Sequence, residues 1–147
     1  ESSFGEVRGG RVVSVAWLRA QVLGELAGVA EAAGRVGEAE ALHARAIALL
    51  EATYPGTPVL GSARAQLAGL YARSGRQDEA LSLYRSIIAE AEGRPLPSLR
   101  GLMTPYFALL TDGGGVPATE AAGDLFAASQ LLQRPGLAQT QAALARE

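Results

Sequence analysis

The chain has 147 residues, 13 basic against 15 acidic groups, a formal charge of −2, 48% hydrophobic and 19% charged residues. That balance suits one folded domain with a real core and excludes a disordered chain, and the scattered charges exclude the basic stripe that nucleic acid requires. Cysteine is absent and every basic residue is arginine, which removes disulfides, thiolate nucleophiles, Cys-ligated metals, and the lysine of a P-loop or a Schiff base.

No apolar run approaches the roughly 18 residues of a membrane span. One histidine and three aspartates (Asp78, Asp112 and Asp124) are a poor kit for acid–base or metal chemistry. No enzyme activity, cofactor or metal is therefore expected. The chain starts at Glu1 rather than Met, and the expectation is a piece of a longer protein. The cytoplasm is the favoured compartment, with the periplasm as the alternative if a signal peptide has been removed.

Taken in order, residues 1–10 are rich in Gly and Ser and read as a frayed entry. Val12–Trp17 leads into a first helix that ends near Ala33, before Gly34. A second helix follows from about Gly37 to Thr53, and Pro55-Gly56 breaks it. Thr57-Pro58 reads as an N-cap with proline at the first helical position. Leu67, Leu70, Tyr71 and Ser74 then share one face of a third helix, which turns at Ser74-Gly75-Arg76. Ala80, Leu83, Tyr84, Ile87 and Ile88 stripe a fourth helix. Gly93–Ser98 with its two prolines is a linker. Residues 98–111 form the next helix, with Pro105 kinking it or confining it to a few turns. Asp112–Pro117 is a loop, about 118–133 a further helix, and 137–147 the start of another.

Sliding the sequence on itself by 41 positions exposes a repeat. Leu67-Ala68 falls on Leu26-Ala27, Gly75-Arg76 on Gly34-Arg35, Glu79-Ala80 on Glu38-Ala39, and forward on Glu120-Ala121. Tyr84 aligns with His43 and Leu125, so His43 reads as a packing residue rather than a ligand. Glu38, Glu79 and Glu120 sit in first helical turns, where a carboxylate complements the positive helix end. The alanines at 27, 39, 68, 80 and 121 are small residues that let paired helices approach closely.

This pattern resembles the tetratricopeptide repeat: a small residue beside an apolar one in helix A, an aromatic later, Gly at the turn and Glu-Ala opening helix B. The usual period is about 34 residues. The excess of about seven is close to two helical turns, so it lengthens the helices without rotating their faces. The longer period is similar to the repeats of kinesin light chains and their bacterial relatives. The resemblance implies one all-α domain over 1–147, a right-handed superhelix of about three helical hairpins (18–56, 57–94 and 97–133) plus terminal helices. Residues 124–142 are also similar to the segment that leads bacterial repeat proteins into a caspase-like CHAT domain. That family's catalytic Cys has no counterpart here, so nothing catalytic carries over.

In such arrays the inner face of successive A helices lines a groove that holds a peptide or another helix. By register this face carries Gln21, Gly24, Gly28, Glu31 and Ala32 in the first repeat. In the second it carries Ser62, Ala65, Gly69, Ala72 and Arg73. Gln21, Glu31 and Arg73 are the expected orienting groups, and close approach of a partner is one reason for glycine at both 28 and 69. Gly113–Gly115 lacks the strand before it and the Lys-Ser/Thr after it that a phosphate loop needs, so it reads as a turn. Trp17 reads as core or capping surface. The expected function is a scaffold for protein–protein interaction, acting in cis or in trans on a protein or peptide and not on nucleic acid or membrane. The alternatives are the non-catalytic part of a CHAT peptidase, or a module that homodimerises through its ends.

Overall fold

The structure is a computed structural model that describes residues 14–91, 94–112 and 115–132. The frayed entry, the helix expected at 137–147, the end of the 124–142 resemblance, and parts of the 93–98 linker and 112–117 loop fall outside the described residues. Among these residues there are six α-helices, one 3-10 segment and no strand. The helices are α1 (Val15–Ala32), α2 (Val36–Thr53), α3 (Pro58–Arg73), α4 (Gln77–Glu90), α5 (Thr104–Thr111) and α6 (Ala118–Leu131), and the 3-10 segment is Pro97–Met103. The chain is an all-α helical repeat.

The two hairpin turns are copies of one another. Gly34 and Gly75 have φ of 74° and 82°, a left-handed backbone that glycine adopts without steric cost. Around the first turn, Gly34 N–H donates to Glu31 O and Arg35 N–H to Ala30 O, both at 2.8 Å. Around the second, Gly75 N–H donates to Ala72 O and Arg76 N–H to Tyr71 O. These paired bonds satisfy the last carbonyls of α1 and α3, so each helix stops at its glycine. Arg35 and Arg76 then open the next helices with matching backbones, φ −89° and ψ 65° against φ −87° and ψ 64°. Each turns back on the glutamate three residues on, Arg35 to Glu38 at 2.9 Å and Arg76 to Glu79 at 2.5 Å. The first-turn glutamates thus pair with an arginine as well as complementing the helix end.

Ser14 caps α1 by accepting from Ala16 N–H at 3.3 Å, which starts the helix at Val15. Thr57 stands at the N-cap of α3 ahead of Pro58, but its side chain makes no cap bond. Its hydroxyl donates to Tyr54 O at 2.8 Å instead, tying down the link from α2.

The third unit departs most from the repeat. Its helix A divides into the 3-10 segment and α5, with Pro105 in the first turn of α5. Proline there lacks only an N–H that helical bonding leaves spare, so Pro105 starts an eight-residue α-helix rather than kinking a longer one.

The stack is held by the small-residue slots. Ala27, Ala39, Ala68 and Ala80 are each 0% exposed, and Ala121 is buried with them. Leu67 and Leu70 of α3 pack with Ala27, Ala30 and Ala39 of the first hairpin. His43 and Tyr84 are both buried in the shared large slot, and the Tyr84 hydroxyl donates to Leu102 O at 3.0 Å, tethering the 3-10 segment. Arginines tie the layers together: Arg64 of α3 to Glu51 of α2 and Glu90 of α4, and Arg85 of α4 to Glu120 and Asp124 of α6.

Candidate partner-binding groove

The inner sides of α1, α3 and the third unit form a channel of three contiguous hollows. The central one, about 230 Å³, is lined by Gly24, Gly28 and Glu31 of α1, Ala65, Gly69 and Arg73 of α3, and Gly101, Leu102 and Pro105. Gln66 joins it to a hollow of about 200 Å³ that Trp17, Gln21 and Ser62 line with Leu50 and Val59. Arg73 and Pro105 join it to one of about 480 Å³ at the far end, lined by Ala72, Gln77, Ala108 and Asp112.

Nine of the ten groove positions drawn from the register lie along this channel, in three different parts of it; Ala32, the tenth, is exposed and lines none of the three hollows. Gln21 and Gly28 are exposed, and Gly24, Glu31, Ser62 and Ala72 are half-buried. Ala65 and Gly69 are buried floor residues. The Ser62 hydroxyl donates to Pro58 O at 3.1 Å within its own helix.

Glu31 and Arg73 engage each other. Arg73 Nε reaches Glu31 Oε1 at 2.5 Å and Nη2 reaches Oε2 at 3.0 Å. This hydrogen-bonded guanidinium holds the Glu31 carboxyl below the usual carboxylate range. The two charges are satisfied within the wall of the channel, whose remaining lining mixes small and apolar residues with the polar Gln21, Ser62, Gln66, Gln77 and Asp112.

The paired glycines have different surroundings. A Cβ on Gly69 would stand 2.9 Å from Arg73 Nη1, so the bare backbone makes room for the chain's own guanidinium. A Cβ on Gly28 would meet nothing within 4 Å. Gly24 is intermediate, with Gln66 Oε1 at 3.3 Å.

Trp17, Gln66 and His43 also line the channel, beyond the positions expected from the repeat register. Trp17 continues the spacing of Gln21, Gly24, Gly28 and Glu31, and Gln66 falls between Ser62 and Gly69 on the same face, so both were legible at helical spacing. His43 comes from α2 and reaches the central hollow from beneath. Burial pushes its imidazole below the ordinary value despite the nearby Glu31, which favours the neutral ring.

A separate hollow of about 220 Å³ lies where the second and third units meet, lined by Leu60, Gly61, Arg64, Ile87, Glu90 and Pro95 among others. Arg64 spans it in pairing with Glu90, and it is not part of the channel. Among the described residues no cluster of His, Asp or Glu could hold a metal, and no helix is long and apolar enough to cross a membrane.

A family model described as tetratricopeptide repeat matches residues 18–90, which takes in nearly all of α1 to α4. No curated protein and no solved structure matches the chain.

Proposed function

We propose that the chain is a tetratricopeptide repeat protein, as the family model matching residues 18–90 supports, and an interaction scaffold whose channel receives a peptide or a helix. Modules of this family generally bind proteins or peptides. The observation that carries the reading is Gly28: it costs helix stability, roughly 1 kcal/mol relative to Ala, yet the space beside it is open to a guest. With Glu31 and Arg73 already paired, affinity comes from apolar area over the small-residue floor, and ionic strength has little effect on it.

Selection of displayed peptides against the whole chain tests this. The expected result is enrichment of sequences with apolar residues at helical spacing, bound at least about tenfold more weakly by Gly28→Leu, or about 1.4 kcal/mol. Equal binding by that variant, with its helical signal intact, counts against the channel.

The finer reading rests on resemblance. The long period is that of kinesin-light-chain-like repeats, and residues 124–142 are similar to the stretch ahead of a CHAT domain. On this reading the chain is the regulatory repeat region of a larger bacterial protein, and the guest is a segment of an adjoining caspase-like domain. A Cys and a His encoded downstream of Glu147 would support it, and an unrelated downstream domain would remove it.

A further inference from the structure

The outward side of α1 carries a second surface. Val15, Leu18, Val22, Leu26 and Val29 are 69%, 48%, 57%, 48% and 61% exposed. At about 100° per residue all five fall within about 40° of Val22, whereas Gln21, Gly24, Gly28 and Glu31 lie about 100–180° away from it. The outer helix of a repeat stack ordinarily turns a polar face to water. One period on, Val22, Leu26 and Val29 correspond to Ala63, Leu67 and Leu70 of α3. Those three are buried in clusters shared with the first hairpin. This face is therefore one on which the fold seats helices.

The order of residues says what kind of helix. Along the stripe they read Val, Leu, Val, Leu, Val at offsets of −7, −4, 0, +4 and +7 from Val22. The sequence of types is the same in both directions. A contact between two copies about a two-fold axis requires a self-complementary surface, and contact with an unlike helix does not. With two copies of α1 antiparallel and the axis at Val22, Leu18 of one lies beside Leu26 of the other and Val15 beside Val29. The two Val22 side chains meet at the centre. Arg19 and Glu25, both exposed, stand on opposite edges of the stripe as a polar rim.

We propose that this chain self-associates through α1, as an antiparallel two-fold dimer centred on Val22 that leaves both channels open. The five side chains expose on the order of 400 Å², the size of patch that is often functional. The pair with its rim then buries roughly 1,000 Å², at the lower bound of specific interfaces. The dimer accordingly dissociates on dilution.

Sedimentation velocity of the whole chain is expected to move from one chain to two across the micromolar range, and Val22→Glu to stay at one with unchanged circular dichroism. Because the chain has no cysteine, single substitutions then locate the axis. Val22→Cys should cross-link to itself under mild oxidation. Val29→Cys should not, since its two copies would stand about 21 Å apart at 1.5 Å rise per residue, far beyond disulfide reach. Val15→Cys mixed with Val29→Cys should cross-link. A single-chain mass at every concentration overturns the proposal and assigns the face to a helix of some other hairpin. Equal cross-linking of Val22→Cys and Val29→Cys also overturns it, as the mark of an unspecific sticky patch.

Discussion

Arg73 of α3 grips Glu31 of α1 with two nitrogens, at 2.5 and 3.0 Å, while its third lies over the bare backbone of Gly69. One arginine thus joins neighbouring repeats and accounts for a glycine in its own helix. Its side chain is 53% exposed, so the pair is a modest one. A double-mutant cycle of Glu31→Gln and Arg73→Gln in urea should return a coupling of no more than about 1 kcal/mol. The Glu31 carboxyl is depressed, so this contribution is present above its ordinary value of 4.5 and is lost as the pH falls below it. A coupling unchanged at pH 3 would contradict the assignment.

Gly28 and Gly69 occupy one repeat position but should respond differently to alanine. Gly28→Ala meets open space and should stabilise the chain by about 0.5–1 kcal/mol through helix propensity. Gly69→Ala gains the same propensity but displaces the Arg73 guanidinium, so its net effect should lie near zero. Proton titration by NMR separates the two, because only Gly69→Ala should return the Glu31 carboxyl towards its ordinary range.

His43 is the one histidine in the chain, buried beside the Glu31–Arg73 pair with its imidazole pushed down from the ordinary 6.5. The unfolded chain therefore binds a proton more readily than the folded one. Stability that is full above about pH 6.5 is lost as the pH falls below it. Thermal melts between about pH 7 and 5.5 should show this slope in the wild type, and His43→Leu should flatten it. A slope that survives the substitution would trace the effect to another group.

Tyr84 and Tyr106 are both fully buried, with ring centroids 5.0 Å apart, yet their hydroxyls differ. Tyr84 donates to Leu102 O, and Tyr84→Phe should cost about 0.5–1.5 kcal/mol and loosen the 3-10 segment in hydrogen exchange. Tyr106 Oη faces Arg85 and Asp124 without hydrogen-bond geometry to any described residue. Tyr106→Phe should therefore change stability by less than about 0.5 kcal/mol. Chemical denaturation of the two variants decides, and a larger loss at Tyr106 would reverse the ordering.

The hairpins were legible in the residues because their causes are local. Gly34 and Gly75 stop helices through the geometry of a few successive peptides, and the alanines at 27, 39, 68 and 80 keep their spacing whatever lies opposite. The face of α1 that lines the channel was likewise readable at helical spacing, and that spacing includes Trp17. Only the folded stack decided which charges remain available, because the meeting of Glu31 and Arg73 depends on how close α1 and α3 lie. The same distance crowds Gly69, leaves Gly28 open and brings His43 of α2 up to the channel. For the third unit the residues left two outcomes, Pro105 bending one helix or confining it to a few turns, and with Leu99, Met103 and Tyr106 packed into the core the structure takes the second. Spacing along a helix says which residues share a face, but only the separation between helices says what that face meets.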